Sequence, residues 1–338
     1  MTERARLYAA TGNAVARISV GEPADCSVEL ALPGSGAGCL AIDPRDPDRL
    51  YAGTFEDGVY ISEDAGASWR APDSGPGDRR VLALAVSSAH ERAGTSVVYA
   101  GTEPSNLYRS EDAGRSWRLL PALRELPSEP TWSFPGRPWT HHVRTIALHP
   151  TDPEWLLVGV ELGGVMRSTD GGASWADHNP EAHSDAHRLL THPLAPERVY
   201  EAAGQGVAVS EDRGLTWTPH ERGLDRRYAW AAAIDPADPD LWYVSISRGP
   251  FAAHGDGDGE ARVVRRADGR WSPVAGWGDA PELRRMPYAL ATLPDRPRAL
   301  VAGLRGGRLL LSEDAGESWT SLAAELPDLV DLVAAPAG

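Results

Sequence analysis

The chain has 338 residues and a formal net charge of −15 at pH 7, which argues against broad attraction to nucleic acid or to an acidic membrane surface. Only two cysteines are present, Cys26 and Cys39, without C-x-x-C spacing, so neither a disulfide framework nor a cysteine zinc site is expected. No stretch approaches 18 uninterrupted apolar residues, and residues 1–21 lack the basic and apolar segments of a secretory signal, so we expect a cytoplasmic protein without a membrane span.

The first elements along the chain are short strands. Runs rich in Leu, Val, Ile and Tyr, interrupted by Gly, Pro and Asp, predict three strands, at 7–11, 15–18 and 28–32. The next stretch is a complete unit, in which three strands lead into the turn Ser62–Trp69 and a fourth strand follows it. Four short strands at this spacing predict one blade of a β-propeller.

The turn pattern Ser-x-Asp-x-Gly-x-Ser/Thr-Trp occurs five times, at Ser62–Trp69, Ser110–Trp117, Ser168–Trp175, Ser210–Trp217 and Ser312–Trp319. Five copies indicate a repeat architecture. In each copy we expect the Asp to accept from backbone N–H groups, the Gly to take a positive φ, and the Trp to pack between neighbouring sheets. Alignment of the units predicts blades 1 to 6, at 37–75, 79–122, 143–180, 186–222, 228–275 and 285–322.

The two ends of the chain predict how the ring closes. Blade 5 carries only Ala267–Trp271 in place of the full turn. The three strands of residues 6–32 lack a first strand, which we expect at 329–336, where the run 332–336 resembles the first strand of blade 1. Together the ends would form a seventh blade and leave no open sheet edge. The sequence therefore predicts an all-β, seven-bladed propeller with four antiparallel strands per blade, formed as a single domain by residues 1–338.

The repeated turn is the Asp-box, or BNR repeat, and through its five copies nearly the whole chain resembles the sialidase-like and sortilin-like β-propeller superfamily. That superfamily includes sialidases, xyloglucanases, sortilin-type receptors and photosystem II assembly factors, so the resemblance implies a fold more specifically than an activity. True sialidases resemble six-bladed rings with an Arg-Ile-Pro motif near the N-terminus. This chain has no such tripeptide and seven predicted blades, so sialidase activity is not expected.

The antiparallel order of the strands separates two faces of the ring. The repeated turns share one face, the turn face, with the loops between first and second strands. The opposite face, the mouth face, carries the loops between second and third strands and the connections between blades, the longest being 119–142 and 249–262. Variable loops on a rigid scaffold commonly carry binding, so we expect the functional site there.

Alignment on the proline that ends each first strand predicts the residues around the channel mouth. The position six residues earlier is occupied by Gly38, Arg144, His187, Trp230, Tyr288 and Val330. Two residues before those lie His142, Asp185, Tyr228 and Met286. The ends of the loops between second and third strands are Phe55, Glu103, Glu161, Gly204, Ser247 and Arg305. Arginines cluster in the nearby connections (Arg226, Arg227, Arg284 and Arg285), and on an acidic chain such a cluster indicates an anion site.

These residues support the hypothesis of a hydrolase or lyase acting on a small anionic or sugar-like substrate. Glu161 would be the general base, with Glu103 or His187 as the acid. The remaining set would bind substrate: Arg144 and Arg305 its anionic group, Trp230 and Tyr288 its body, with His142, Tyr228, Arg227 and Arg285 beside them. If the substrate is a glycoside, the separation of the two carboxyl groups would predict retention or inversion.

Other interpretations stay open. The protein could be a non-catalytic binding or assembly propeller that holds a protein partner. It could be a metal-dependent enzyme, with a divalent metal as cofactor on His142, His187, Glu103 and Glu161. Single Arg or Glu residues at a mouth also form salt bridges between blades, and Trp230 and Tyr288 could simply plug the channel. The run 255–260 resembles a calcium loop, but its spacing favours a mobile acidic loop.

Overall fold

Apolar runs along the chain form seven antiparallel sheets, which a computed structural model describes for residues 5–21, 26–134, 136–274 and 283–336. Blade 1 contains β4 (Ala37–Asp43), β5 (Asp46–Thr54) and β6 (Val59–Ser62). Blade 2 contains β7 (Arg80–Arg92), β8 (Thr95–Glu103), β9 (Leu107–Ser110) and β10 (Arg118–Leu120). Blade 3 contains β11 (Val143–Leu148), β12 (Leu156–Val160) and β13 (Gly164–Ser168).

The second half of the ring has the same strand order. Blade 4 contains β14 (Ala186–His192), β15 (Ala195–Ala203), β16 (Gly206–Ser210) and β17 (Thr218–Pro219). Blade 5 contains β18 (Tyr228–Asp235), β19 (Asp238–Ser247), β20 (Arg262–Ala267) and β21 (Arg270–Pro273). Blade 6 contains β22 (Pro287–Leu293), β23 (Arg296–Leu304), β24 (Leu309–Ser312) and β25 (Thr320–Ser321). In blades 1 and 3 a single bridge marks the fourth strand, at Ile61 with Arg70 and at Arg167 with Ala176.

The closing blade joins the two ends of the chain. It contains β26 (Asp331–Ala335) followed by β1 (Ala5–Ala10), β2 (Val15–Val20) and β3 (Cys26–Ala31). β26 pairs antiparallel with β1, from Ala10 opposite Asp331 to Arg6 opposite Ala335. The first strands of neighbouring blades contact one another in cyclic order, and β26 contacts β4. The predicted seven-bladed propeller and its closure are confirmed.

The hydrophobic core is divided into separate clusters that lie between neighbouring blades. Seven hydrophobic clusters are present in the described residues, one for each pair of neighbouring blades. Both faces of the inner strands are buried in this way, so the five residues Leu156–Val160 are all buried. Each buried Val or Leu side chain contributes about 1.5–3 kcal/mol relative to an exposed one.

The polar side chains of each repeated turn form hydrogen bonds within that turn. In the first copy, Ser62 Oγ donates to Asp64 Oδ1 at 2.8 Å, and the Gly66 N–H donates to Ser62 Oγ at 2.8 Å. Ser68 donates to Asp64 through both its N–H and its hydroxyl. Gly66 has a φ of +81°, which favours glycine. The Trp packs in the cluster shared with the preceding blade, as expected.

Helical segments are short and lie in the two longest loops. Two 3₁₀ turns, Pro121–Glu125 and Glu129–Thr131, follow blade 2, and one α-helix, α1 (Pro250–His254), lies between β19 and β20. Within the described residues none of these helices has the length and apolarity to cross a bilayer. Both loops lie on the mouth face, where Arg137 contacts Glu103 and His254 contacts Tyr288.

Candidate functional site at the channel mouth

The first strands of the seven blades surround a channel of about 470 Å³. All six predicted mouth residues line it, namely Gly38, Arg144, His187, Trp230, Tyr288 and Val330. Blade 2 contributes Leu82, which the alignment missed because its first strand does not end at a proline. Polar and aromatic side chains are concentrated in blades 3 to 6.

A β-bulge marks the mouth position in six blades. The register between first and second strands shifts at that residue in each of them, namely at Gly38, Leu82, Arg144, His187, Trp230 and Tyr288. A bulge leaves one residue unpaired and redirects its side chain, and bulges are common beside active sites. The shared bulge explains why residues of different chemistry occupy equivalent places on the channel wall.

Glu161 is the anionic centre of the mouth. His142 Nε2 lies 3.0 Å from Glu161 Oε2, and Arg144 Nε lies 3.8 Å from the same oxygen. Burial alone would raise the pKa of Glu161, but the hydrogen bond from His142 and the charges of His142, Arg144 and His187 lower that pKa to about 2. Glu161 is therefore ionised at neutral pH.

His187 is almost completely buried beside this carboxylate, with 3 % of its surface exposed. Its Nδ1 donates to the Ala229 carbonyl at 2.6 Å, which fixes the ring. Nε2 lies 3.5 Å from Asp185 Oδ1 and has no hydrogen-bond partner. The ring packs against Trp230 at 4.5 Å between centroids and Tyr228 at 5.1 Å.

His254 from α1 packs against the same two aromatic rings, Tyr228 and Trp230, as His187 does. The Tyr228 hydroxyl lies 2.6 Å from His254 Nε2, and the Tyr288 hydroxyl lies 2.8 Å from His254 Nδ1. The Trp230 ring packs edge-on against the imidazole at 4.5 Å. Burial, followed by the charges of His187, Arg144 and Arg305, lowers the pKa of His254 to about 4, so this histidine is neutral at pH 7.

Two predicted anion-binding arginines have different surroundings. The Arg144 guanidinium lies over the Trp230 ring, 4.5 Å from its centroid. Arg305 instead donates to the carbonyls of His254 at 2.5 Å and Gly255 at 2.7 Å, and it pairs with Asp256 at 3.3 Å. Arg305 therefore holds the loop that carries His254.

Glu103 lies in an arginine cluster of its own. Arg80 and Arg137 both pair with its carboxylate, Arg80 at 3.0 Å, and the nearest nitrogen of His142 lies 3.9 Å away. Burial opposes ionisation, but the two arginines and His142 outweigh it and lower the pKa of Glu103. Glu103 and Glu161 are thus joined through His142 rather than facing a common space.

The remaining predicted residues lie at the rim. Arg227 is exposed and pairs with Glu221 at 3.3 Å, and Arg284 and Arg285 are exposed. Arg226 is buried and donates to the Glu260 carbonyl. In the acidic run 255–260, the carboxylate of Glu260 pairs with Arg248 at 2.7 Å. The run therefore forms ion pairs with neighbouring arginines.

An ion pair crosses the channel below the mouth. Arg188 of β14 pairs with Asp331 of β26 at 2.9 Å, so blade 4 contacts the closing blade across the ring. Asp331 also accepts from the Leu40 N–H at 2.9 Å. Sequence alignment missed this pair and His254. Only the length of the loop 249–262 indicated where His254 would be found.

No family model matches the chain. Among solved structures, the fold is similar to that of the GH74 xyloglucanase from Xanthomonas campestris, with a TM-score of 0.62 and 22% identity over 86% of this chain. The chain spans 46% of that enzyme. It is also similar to YCF48 bound to a D1 peptide (TM-score 0.60, 16% identity, 85% of this chain and 81% of that one) and to U3-55K (0.57, 13%, 88% and 84%). At these identities the likeness supports the propeller fold alone.

Proposed function

We propose that the channel mouth binds a small anionic or sugar-like ligand and that the protein acts on it by acid–base chemistry, as a hydrolase or a lyase. The channel volume of about 470 Å³ falls within the range of small-molecule sites, roughly 300–1,000 Å³. The polar side chains at the mouth come mainly from blades 3 to 6. That one-sided distribution favours a compact ligand over a partner that spans the whole rim.

The chain Tyr228–His254–Tyr288 carries this proposal. A neutral imidazole has one N–H donor and one acceptor nitrogen. His254 therefore donates to one of its two tyrosines and accepts from the other. The tyrosine that receives the hydrogen bond keeps its own hydroxyl proton for a ligand, while the other offers only oxygen lone pairs. The chain can thus present one proton donor and one acceptor to a bound molecule.

The neighbouring side chains provide binding. Trp230 and Tyr288 line the channel and offer aromatic surface to the body of a sugar or similar ring. Arg144, whose Nε has no hydrogen-bond partner, would bind a carboxylate or phosphate of the ligand. Arg227 and Arg285 would add positive charge at the rim.

The acid–base roles assigned to the two glutamates fit less well. Hydrolysis of a glycoside by two carboxyl groups requires one of them to be protonated. Glu103 and Glu161 both have lowered pKa values, so both are ionised at neutral pH. Glu161, with a pKa of about 2, is also a weak base. We therefore propose Tyr228, His254 and Tyr288 as the groups that transfer protons.

The test combines a ligand screen with an assay that separates the two reactions. Sugars, anionic metabolites and uronic-acid oligosaccharides would first be screened by thermal shift. Turnover would then be followed by reducing-end release and by the ultraviolet absorbance of a new carbon–carbon double bond. A lyase gives both signals, and a hydrolase gives only the first.

Tyr288→Phe removes the hydroxyl and keeps the ring. We expect turnover to fall by about 10²-fold or more, the usual contribution of general acid–base catalysis, while binding changes little. Tyr60→Phe is the matched control, because Tyr60 lies on β6 outside the channel lining. Full turnover by Tyr288→Phe, or a screen without any stabilising ligand, would overturn the proposal.

We also propose that the chain is an Asp-box propeller of the sialidase-like superfamily and a single domain over residues 1–338. The five turns, each with the same Ser–Asp and Ser–Gly hydrogen bonds, support this.

A second candidate function, protein binding, is favoured by two exposed aromatic side chains in the long mouth-face loops. These are Trp139, 79% exposed, and Phe251, 94% exposed. Peptide binding that Trp139→Ser and Phe251→Ser abolish, without any small-molecule ligand, would favour it.

A further inference from the structure

Three ligand atoms of the kind that bind metals meet at the mouth, outside the tyrosine–histidine chain. One oxygen of Glu161, one of Asp185 and one ring nitrogen of His187 all lie within 4.8 Å of one another. Across the described part of the chain, no other three His, Cys, Asp or Glu side chains come together this closely. In a tetrahedral site with bonds of about 2.1 Å, the ligand atoms lie about 3.4 Å apart. The side chains would therefore need to close by at most about 1.4 Å.

The hydrogen bonding of His187 supplies independent support for a ligand here. The Ala229 carbonyl can only accept, so Nδ1 carries the proton. Nε2 is buried without a hydrogen-bond partner and lies 3.5 Å from Asp185 Oδ1. A proton on Nε2 or a metal ion between the two atoms would each make this contact attractive, and a metal ion would bind both atoms together with Glu161. A histidine that donates through one nitrogen to a backbone carbonyl is also the usual state of a metal ligand.

We propose that Glu161, Asp185 and His187 bind one divalent transition-metal ion of the Mn²⁺ or Zn²⁺ type. Imidazole together with carboxylates suits these ions, and three protein ligands leave coordination positions for water or for an anionic ligand. The inference replaces the expected set of His142, His187, Glu103 and Glu161, since Glu103 is held by arginines and His142 Nε2 bonds Glu161.

The charges around the three ligands determine how tightly a metal ion is expected to bind. Arg144 Nε lies 3.8 Å from Glu161 Oε2 and His142 Nε2 lies 3.0 Å from it, so positive and polar groups compete for one of the ligands. We therefore expect weaker binding than at a structural zinc site. A bound ion beside Arg144 would increase the attraction for an anionic ligand, which is where the metal site would bear on the proposed function.

The test is a titration of the chelator-treated 338-residue protein with Mn²⁺, followed by electron paramagnetic resonance, which detects the free ion. We expect one Mn²⁺ to bind per chain and Zn²⁺ to displace it. Asp185→Asn and His187→Gln should each weaken binding by about tenfold or more, because even outer-shell partners of metal sites contribute about 10- to 100-fold. Circular dichroism of each variant checks the fold.

Glu221→Gln is the matched control. Glu221 lies 3.4 Å from His183 in a separate histidine–carboxylate cluster, so its variant should bind Mn²⁺ like the unmodified protein. Absence of stoichiometric Mn²⁺ and Zn²⁺ binding, or wild-type affinity in both site variants, would overturn the inference. No substrate enters this titration, so such a result would leave the tyrosine–histidine chain untouched. Conversely, loss of turnover in Tyr288→Phe with normal Mn²⁺ binding separates the two sites.

Discussion

The turn face and the mouth face use polar residues in opposite ways. Each of the five repeated turns satisfies its Ser hydroxyl and Asp oxygens within eight residues, with the same bonds each time. At the mouth, the partners come from different blades, as Tyr228, His254 and Tyr288 do. Two buried mouth nitrogens, His187 Nε2 and Arg144 Nε, have no hydrogen-bond partner.

The contrast separates scaffold from function in physical terms. A closed local network can be copied from blade to blade because it requires nothing from its neighbours. A buried nitrogen without a partner costs about 1–3 kcal/mol, so its retention at a channel mouth is consistent with a ligand that would satisfy it. If this comparison is right, mutations of polar residues around the channel should change the free energy of unfolding by different amounts. Equivalent mutations in the five turns should change it by similar amounts.

The largest loss of stability is expected when Asp331 is replaced. Asp331→Ala removes the partner of Arg188 across the channel and leaves the buried Leu40 N–H without an acceptor. The free energy of unfolding should fall by about 3 kcal/mol, the low end for breaking a buried ion pair, because Arg188 keeps some solvent contact. Urea unfolding followed by tryptophan fluorescence measures this change.

The double variant Arg188→Met with Asp331→Asn is the control for that loss. It leaves no uncompensated charge in the channel, so it should recover a large part of the stability. The two residues are then coupled, and the single variants Arg188→Met and Asp331→Asn complete a double-mutant cycle that gives their interaction energy. A loss below about 0.5 kcal/mol for Asp331→Ala would place this contact among ordinary surface pairs.

Repeat periodicity made most of the fold predictable, whereas the site was predictable only as a set of positions. The turns and strand lengths are local, so seven blades and the closing strand could be inferred from sequence. Alignment also located Arg144, His187, Trp230 and Tyr288 on the channel wall. It could not show that Arg80 and Arg137 would hold Glu103, or that α1 would place His254 between two tyrosines, because those partners lie 23 to 34 residues away along the chain.

His254 should make stability depend on pH. Its pKa is about 4 in the folded protein and about 6.5 in an unfolded chain, so the unfolded state binds more protons between these values. The free energy of unfolding should therefore decrease as pH falls from 6.5 to 4, by less than about 3 kcal/mol, since His254 keeps partial solvent access. Above pH 7 this contribution stays constant.

His254→Gln isolates that contribution. The variant has no titrating ring, so its stability should change less with pH across the same window, while all other groups contribute equally to both proteins. Urea unfolding at several pH values between 4 and 7.5 gives the two curves. Parallel curves would mean that folding does not lower the pKa of His254, and the buried, neutral state assigned to this ring would be wrong.

The smallest losses of stability are expected in the turns. The informative result there is whether the five variants lose the same free energy of unfolding. Asp→Asn in any one of the five copies removes a charged acceptor of Ser or Thr hydrogen bonds and should cost about 1 kcal/mol. The affected positions are Asp64, Asp112, Asp170, Asp212 and Asp314. Burial opposes ionisation of these carboxyl groups, but the hydrogen bonds outweigh it and lower the pKa of each. Their contribution to stability is therefore present above pH 4 and is lost as pH falls below it.

Asp268 provides the control for the turns, because it occupies the shorter turn of blade 5 without the serine partners. Asp268→Asn should therefore lower the free energy of unfolding less than any of the five. Asp268 has a φ of +50°, which Asn adopts readily. Agreement of the five variants within about 0.5 kcal/mol would show that the turns are independent local units. A spread of several kcal/mol among them would mean that turn residues depend on their blade as the mouth residues do, and the distinction between the two faces would fail.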